Sequence, residues 1–322
     1  MTSITEKITE KIIDKIIPSP SPLRVSTMTV VGHFGVIPDR AKLFHSGAFI
    51  QYGDMKEGII KIEVDAQVKG ICTDDILHQT AKEKKKFFNQ SSLVFRLQLD
   101  DAPTFKEVNI KIFKNGGFQM TGISSEEMAR AALTRFIELN KGVERGIWTT
   151  DPTIAKFDVC MMNSDYKINK VIRRDRLYRI LVEEYGLWCS YEPTIYQGVN
   201  TKFFWNKARP AAAPPGICVC PEQCEGGGDG YSLGNCKKIT ISPFRTGNII
   251  ITGAKKTEQL MDAYRFMNGI LTKYAEDVLR DEVETEMPVT PKKKVAVPPT
   301  TTEGILKQKM RSSPRNIVSR RI

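Results

Sequence analysis

The sequence predicts an α+β protein made of two similar halves with pseudo-two-fold symmetry, and three observations lead there. IFKNGGFQMTG at 112–122 returns as PFRTGNIIITG at 243–253, each an apolar strand, a Gly-containing turn and a strand closed by Thr-Gly. A shift of 131 residues lays Ile110, Phe113, Gly116, Thr121, Gly122, Glu127 and Ala132 on Ile241, Phe244, Gly247, Thr252, Gly253, Glu258 and Ala263. Each copy then runs into a long helical pattern. Strands followed by helices, twice, make an α+β chain with an internal duplication.

The elements follow in order. Residues 1–17 set Ile4, Ile8, Ile12 and Ile16 four apart, with acidic and basic rows beside them, and PSPSP stops the helix. It is either a weakly helical arm or a docking helix. Pro38–Phe44 and Thr73–Lys86 are candidates for the first-half counterpart of the helix RRDRLYRILVEEYG at 173–186. The first long helix starts at Ser124, with Glu127 three positions on as a capping box, and buries Met128, Ala132, Phe136 and Ile137. The second sets Leu260, Ala263, Tyr264, Met267, Ile270 and Leu271 at helical spacing. The chain therefore divides into an arm with a Pro/Ser linker (1–22), a first repeat (23–145), a second repeat (146–287) holding a Cys-rich insertion (207–237), and a tail (288–322).

Hydrophobic content of 41% with 26% charged residues is that of a globular chain, and no apolar run is long enough for a bilayer. The N-terminus has no signal-peptide core, and seven cysteines, an odd number, do not suggest a disulfide framework; the chain is read as intracellular. The net charge of +11 favours a polyanionic partner. Nine of the basic residues sit in the tail against Glu303 alone, so the tail is expected to be disordered and to add non-specific affinity for phosphates.

Phe113 and Phe244 each stand three residues before the glycine of the turn. By the period-two rule Lys111, Phe113, Gln119 and Thr121 share one strand face, and Ser242, Phe244, Ile250 and Thr252 share the other copy's. Tyr196 begins one strand and Phe244 ends its antiparallel partner, which brings both rings to one end of the sheet. These residues, with SYEPTIYQGV at 190–199, PFRTGNIIITGAK at 243–255 and FFNQSSLVFRL at 87–97, resemble the TATA-box-binding protein family over about residues 25–275. The insertions and tails look most like the versions carried by large cytoplasmic DNA viruses.

The resemblance implies a saddle: a curved antiparallel sheet, helices on its convex face, and a concave face laid on the minor groove of A/T-rich double-stranded DNA. Paired aromatic wedges would kink the duplex, repaying the lost stacking with wider contact. Phe113, Phe244 and Tyr196 match wedge positions, Leu93 or Ser92 falls at the fourth, of which only leucine could act as a wedge, and Thr121 and Thr252 match base-contacting threonines. Lys111, Gln119 and Ile250 take the neighbouring groove-facing places. Ser26 and the vicinity of Phe157 stand where the family has its central asparagines, so the resemblance does not imply A/T selectivity at the centre. Glu192 matches one acid of the stirrup that contacts the B-type transcription initiation factor; Thr194 replaces the second.

Cys218, Cys220, Cys224 and Cys236 in the Gly-rich insertion could hold zinc or remain free thiols. His33, His45 and His78 lack metal or triad spacing, GGGDG lacks the Lys-Ser/Thr of a phosphate loop, and no catalytic constellation stands out. The expected function is therefore non-enzymatic: a transcription initiation factor that bends promoter DNA and recruits RNA polymerase machinery, with no membrane partner. It would work in the cytoplasmic viral factory or virion if viral, otherwise in the nucleus. The alternative is a virion structural or DNA-packaging protein that keeps the saddle.

Overall fold

The computed structural model describes residues 18–281 except 66, 78–88 and 100–103. The N-terminal arm before residue 18 and the basic tail therefore lie outside the described residues. One compact unit holds the described chain apart from Gly53–Met55.

Two antiparallel strands stand at the centre of the main sheet, β1 (Arg24–His33) and β7 (Lys156–Lys167). Outward from β1 come β6 (Gly117–Ile123), β5 (Phe105–Phe113), β4 (Gln90–Gln98), β2 (Gly58–Val64) and β3 (Gln67–Gly70). Outward from β7 come β12 (Asn248–Ala254), β11 (Lys237–Pro243), β10 (Tyr196–Trp205) and β9 (Trp188–Glu192). A separate two-stranded pair joins β8 (Val171–Ile172) to β13 (Leu279–Arg280).

The hairpin registers recur. Asn109–Thr121, Ile110–Met120, Lys111–Gln119 and Ile112–Phe118 in β5/β6 return as Thr240–Thr252, Ile241–Ile251, Ser242–Ile250 and Pro243–Ile249 in β11/β12, each residue 131 further on. The turn glycines Gly116 and Gly247 both sit at left-handed φ, +84° and +80°, and a side chain on either would strike a backbone carbonyl, Val36 O or Ile168 O. Only glycine fits there.

Alternation in β5 and β12 sends Val108, Ile110, Ile112, Ile249 and Ile251 into one core. Helices α1 (Arg40–Ser46), α3 (Glu126–Asn140), α4 (Arg174–Glu183), α5 (Thr257–Lys273) and α6 (Ala275–Val278) add buried side chains to it. Met128, Ala132, Phe136 and Ile137 are buried in α3 as expected, but its cap is Ser125, whose hydroxyl accepts from Met128 N–H at 3.1 Å, and not Ser124. Of the two candidates for the counterpart of α4, the stretch at Pro38–Phe44 supplies α1, which follows β1 as α4 follows β7 and β8. No described helix is long and apolar enough to cross a membrane.

The short α2 (Thr73–Leu77) lies elsewhere. Val94 and Arg96 alternate with core-facing Leu93, Phe95 and Leu97, yet both are buried. Ile60, Cys72 and Val94 form a second small cluster with Ile50 and Tyr52, on the sheet face turned away from the main core. A polar network closes it. Lys61 Nζ donates to Asp75 at 2.7 Å, Thr73 donates to Glu107 at 2.8 Å, and Arg96 reaches both Tyr52 O at 2.7 Å and Glu107 at 3.5 Å. Burial would raise the Asp75 carboxyl, but the Lys61 ammonium and Cys72 N–H hold it down to about 2.

Candidate nucleic-acid interface

The face opposite the main core carries the aromatic residues. Phe244 ends the β11 hairpin, where Gly247 N–H returns to its carbonyl at 3.1 Å, and Tyr196 opens β10. Their rings meet edge to face with centroids 5.6 Å apart. Tyr196 is 41% exposed and Phe244 half-buried, so one ring partly shields the other while both stay accessible. Gly198 creates the seat. A Cβ there would lie 2.9 Å from the Tyr196 ring and 3.1 Å from the Phe244 ring. Ile250 and Thr252 follow on the same face, level with Ser242 and Thr240.

Phe113 occupies the matching place in the first half, half-buried at the end of β5, with Gly116 N–H on its carbonyl at 3.0 Å. Lys111 and Gln119 pair directly across β5/β6, and Thr121 pairs with Asn109. A depression of about 510 Å³, lined by Val31, Gly32, Asn89 and Lys114 among others, opens beside the Phe113 ring.

Leu93 is not a wedge. It pairs with Ile110 and is 2% exposed in the main core, on the opposite face from Phe113. Leu93 faces Ile110 as Thr201 faces Ile241, so these two are counterparts. Counting back five positions from each gives Phe88 and Tyr196. Phe88 is thus the sequence counterpart of Tyr196, and it lies outside the described residues.

At the centre, Asn163 of β7 stands level with Thr27 on one side and Thr252 on the other, an asparagine that the sequence did not single out. Ser26 is engaged locally, donating to Asn163 O at 3.0 Å, and Phe157 packs against the main core under the Arg130 guanidinium. Asp165, level with Ile250, accepts from Arg24 Nη2 on both carboxylate oxygens, at 3.0 and 3.1 Å. Glu192 ends β9 and is exposed, and the turn beyond it displays Ile195 at 86% exposure.

The insertion wraps the far end of β10/β11. Phe204 N–H donates to Gly216 O and Lys238 N–H to Gly226 O, both at 2.8 Å, so the loop extends the ladder on both flanks. Between these flanks the sulfurs of Cys218, Cys220, Cys224 and Cys236 all lie within 4.8 Å of one another. Cys236 Sγ is 3.5 Å from Cys220 Sγ and 3.7 Å from Cys218 Sγ. Gly234 N–H donates to Cys220 Sγ at 3.0 Å and Cys224 N–H to Cys218 Sγ at 3.4 Å. Burial pushes the Cys236 thiol up; burial would also raise Cys218, but N–H groups of Cys224 and Cys220 hold it down to about 7. The four cysteines could bind a metal ion.

No family model matches the chain. Over 271 residues it is 28% identical to a protein of Acanthamoeba polyphaga mimivirus named TATA-box-binding protein-like, covering 78% of this chain. The chain spans 65% of that relative's length. Among solved structures, Methanococcus jannaschii TBP matches at 17% identity and a TM-score of 0.43, covering 79% of this chain and 99% of that one. The resemblance to TATA-box-binding proteins and their viral versions thus extends along most of the sequence, on the strength of the mimivirus relative.

Proposed function

We propose that this chain is a DNA-bending initiation factor of the TATA-box-binding type. Its halves form a pseudo-two-fold saddle with helices on the convex side, and the opposite face lies on an A/T-rich minor groove. The observation that carries this is the Tyr196–Phe244 pair: two accessible rings held edge to face over Gly198 at a strand end. An apolar pair in water is costly to leave exposed unless something covers it. A base step opened by bending is a chemically apt cover, since an inserted ring replaces lost stacking. Thr252, Thr121, Ile250, Lys111 and Gln119 would line the groove, and Glu192 with Ile195 would meet the B-type factor and through it the polymerase machinery. The site of action is then intracellular, in a viral factory or virion.

The test is bending of a promoter-like duplex measured by fluorescence energy transfer between its ends. Wild-type protein should shorten the end-to-end distance. Phe244→Ala should abolish most of that change and weaken binding by about 1–3 kcal/mol, the range for one aromatic–base stack. Unaltered bending by the variant would remove the wedge from the mechanism. Binding without bending by the wild-type protein would favour a packaging role.

The cysteine cluster we assign to one structural zinc ion. A tetrahedral ZnS4 unit with Zn–S of about 2.3 Å has S–S edges near 3.8 Å, close to the two shorter separations here. Purified protein should carry about one equivalent of zinc, lost with Cys220→Ser; metal-free folded protein prepared with zinc supplied would refute the assignment.

A further inference from the structure

The face proposed above for DNA is partly occupied by the chain itself. β3 pairs with β2 from Val64–Gln67 to Lys61–Gly70, and the chain then turns over the sheet as α2. Lys61, Val94, Arg96 and Glu107 lie beneath it. They alternate with the core residues Ile62, Leu93, Phe95 and Val108 of their strands, so they share the face of Lys111 and Phe113. Ile60, left unpaired by the register shift between Ile59 and Lys61, joins Val94 and Cys72 in the small cluster on that side. The side chains of Lys61, Arg96 and Glu107 are only 15, 8 and 22% exposed, so a duplex cannot pack on them while α2 is seated.

The cover is small, acidic and held mainly by polar contacts. Asp75 accepts from Lys61 Nζ at 2.7 Å and from Cys72 N–H at 3.0 Å. Thr73 reaches Glu107 through its N–H at 3.1 Å and its hydroxyl at 2.8 Å. Asp74 adds a second carboxylate to the first turn of α2. The cluster beneath fully buries only Ile60, Cys72 and Val94, and the outer side shows Val68, Ile71, Ile76 and Leu77 to solvent. An element with so few buried apolar contacts opens at a small fraction of the global unfolding free energy.

The second half has no such element. β9 reaches β10 through residues 193–195, whereas residues 65–89 separate β2 from β4. Through the paired registers, Lys61, Val94, Arg96 and Glu107 return as Trp188, Lys202, Phe204 and Lys238. β9 is the last strand of the sheet on its side, and Trp188 stands exposed. The cover is therefore an addition to the duplicated plan and not a part of it.

We infer that Gln67–Leu77 is an autoinhibitory insert, which occupies the first-half part of the DNA face and lifts when a duplex takes its place. This rests on the DNA-binding function proposed above. Asp74 and Asp75 place negative charge where a polyanion has to arrive, and repel it. Asp75 also holds Lys61, so lifting breaks that bond as well as the small cluster. The apparent affinity for DNA is then the intrinsic affinity reduced by the fraction of molecules with the insert lifted. The uncovered second half makes the first contact, and the first half follows once its face is cleared.

The experiment compares wild type with Asp75→Asn and Thr73→Val, each of which keeps the side chain's size and removes a bond that seats α2. Thr73→Val changes no charge, so it separates opening of the insert from a simple gain of positive charge. Amide hydrogen exchange should show residues 67–77 exchanging faster in both variants, with the main sheet unchanged. Both should bind a promoter-like duplex about tenfold tighter than wild type, the gain given by a lifted fraction raised by that factor. Wild type bound to the duplex should lose protection at 67–77. Faster exchange without tighter binding, or undiminished protection of 67–77 in a wild-type complex that bends DNA, overturns the insert and leaves the DNA-bending function standing. If a variant fails to fold, exchange in the wild-type complex decides alone. If wild type neither binds nor bends duplex DNA, both fall.

Discussion

The two halves of the sheet share hairpin registers and turn glycines but present opposite chemistry on the face away from the core. In the second half that face runs from the Tyr196–Phe244 pair through Ile250 and Thr252 to Lys202 and Lys238, which form no ion pair among the described residues, and stays open. In the first half Lys111 and Gln119 stand beside Phe113, and the far end is closed by Tyr52, α2 and the Arg96–Glu107 and Lys61–Asp75 pairs. A duplicated backbone therefore does not imply a duplicated function. Hydrogen-bond register is set by the main chain and turns, and survives changes on an outward face that leave the core unaltered. One half keeps its outward face open while the other acquires a local cap.

The largest effect expected from breaking this comparison is on stability. Leu93→Ala opens a cavity in the main core and should cost about 2–5 kcal/mol in denaturant unfolding, with bending per bound molecule unchanged. Phe88→Ala, at the sequence counterpart of Tyr196, should shrink the kink under the first half. A loss of bending with Leu93→Ala at full stability would restore leucine as the wedge.

A smaller effect is expected at Gly198. Its Cβ would press on both rings, and Gln90 holds no such seat beside Phe113, since it is level with that ring and carries a full side chain. Gly198→Ala should splay the Tyr196–Phe244 pair and reduce bending several-fold, while Gln90→Gly should leave it nearly unchanged. Equal sensitivity at the two positions would show that the ring pair is not the source of the asymmetry.

The smallest effect concerns sequence discrimination. Thr252 lies beside Ile250 and level with Asn163, whereas Thr121 lies beside Gln119 and level with Asn109. Apolar contact suits the floor of an A·T groove, while Lys111 and Gln119 can satisfy bases or phosphates alike. Thr252→Ala should lower the preference for A·T over G·C steps by about 1 kcal/mol, and Thr121→Ala by less. Competition titrations with single-step substituted duplexes measure both. Equal losses, together with equal kinks at the two ends, would make the polar substitutions of the first half silent.

The sequence alone determined the duplicated hairpin, because Gly116 and Gly247 are demanded by local backbone geometry and the strands around them alternate cleanly. It likewise set the buried faces of α3 and α5 through helical spacing, and it grouped the four cysteines because they fall in one loop. The face of β4 was decided only by tertiary structure. In SSLVFRL at 91–97 six of the seven residues are buried, since one side packs into the main core and the other under the small cluster built by Ile50, Tyr52, Ile60 and Cys72. With both faces covered the period-two signal vanishes, so nothing local says that Leu93 points inward. Pairing with Ile110 says so. Asn163 and Gly198 were hidden for the same reason: each matters through a neighbour on another strand, and cross-strand neighbours are fixed by register and not by spacing along the chain.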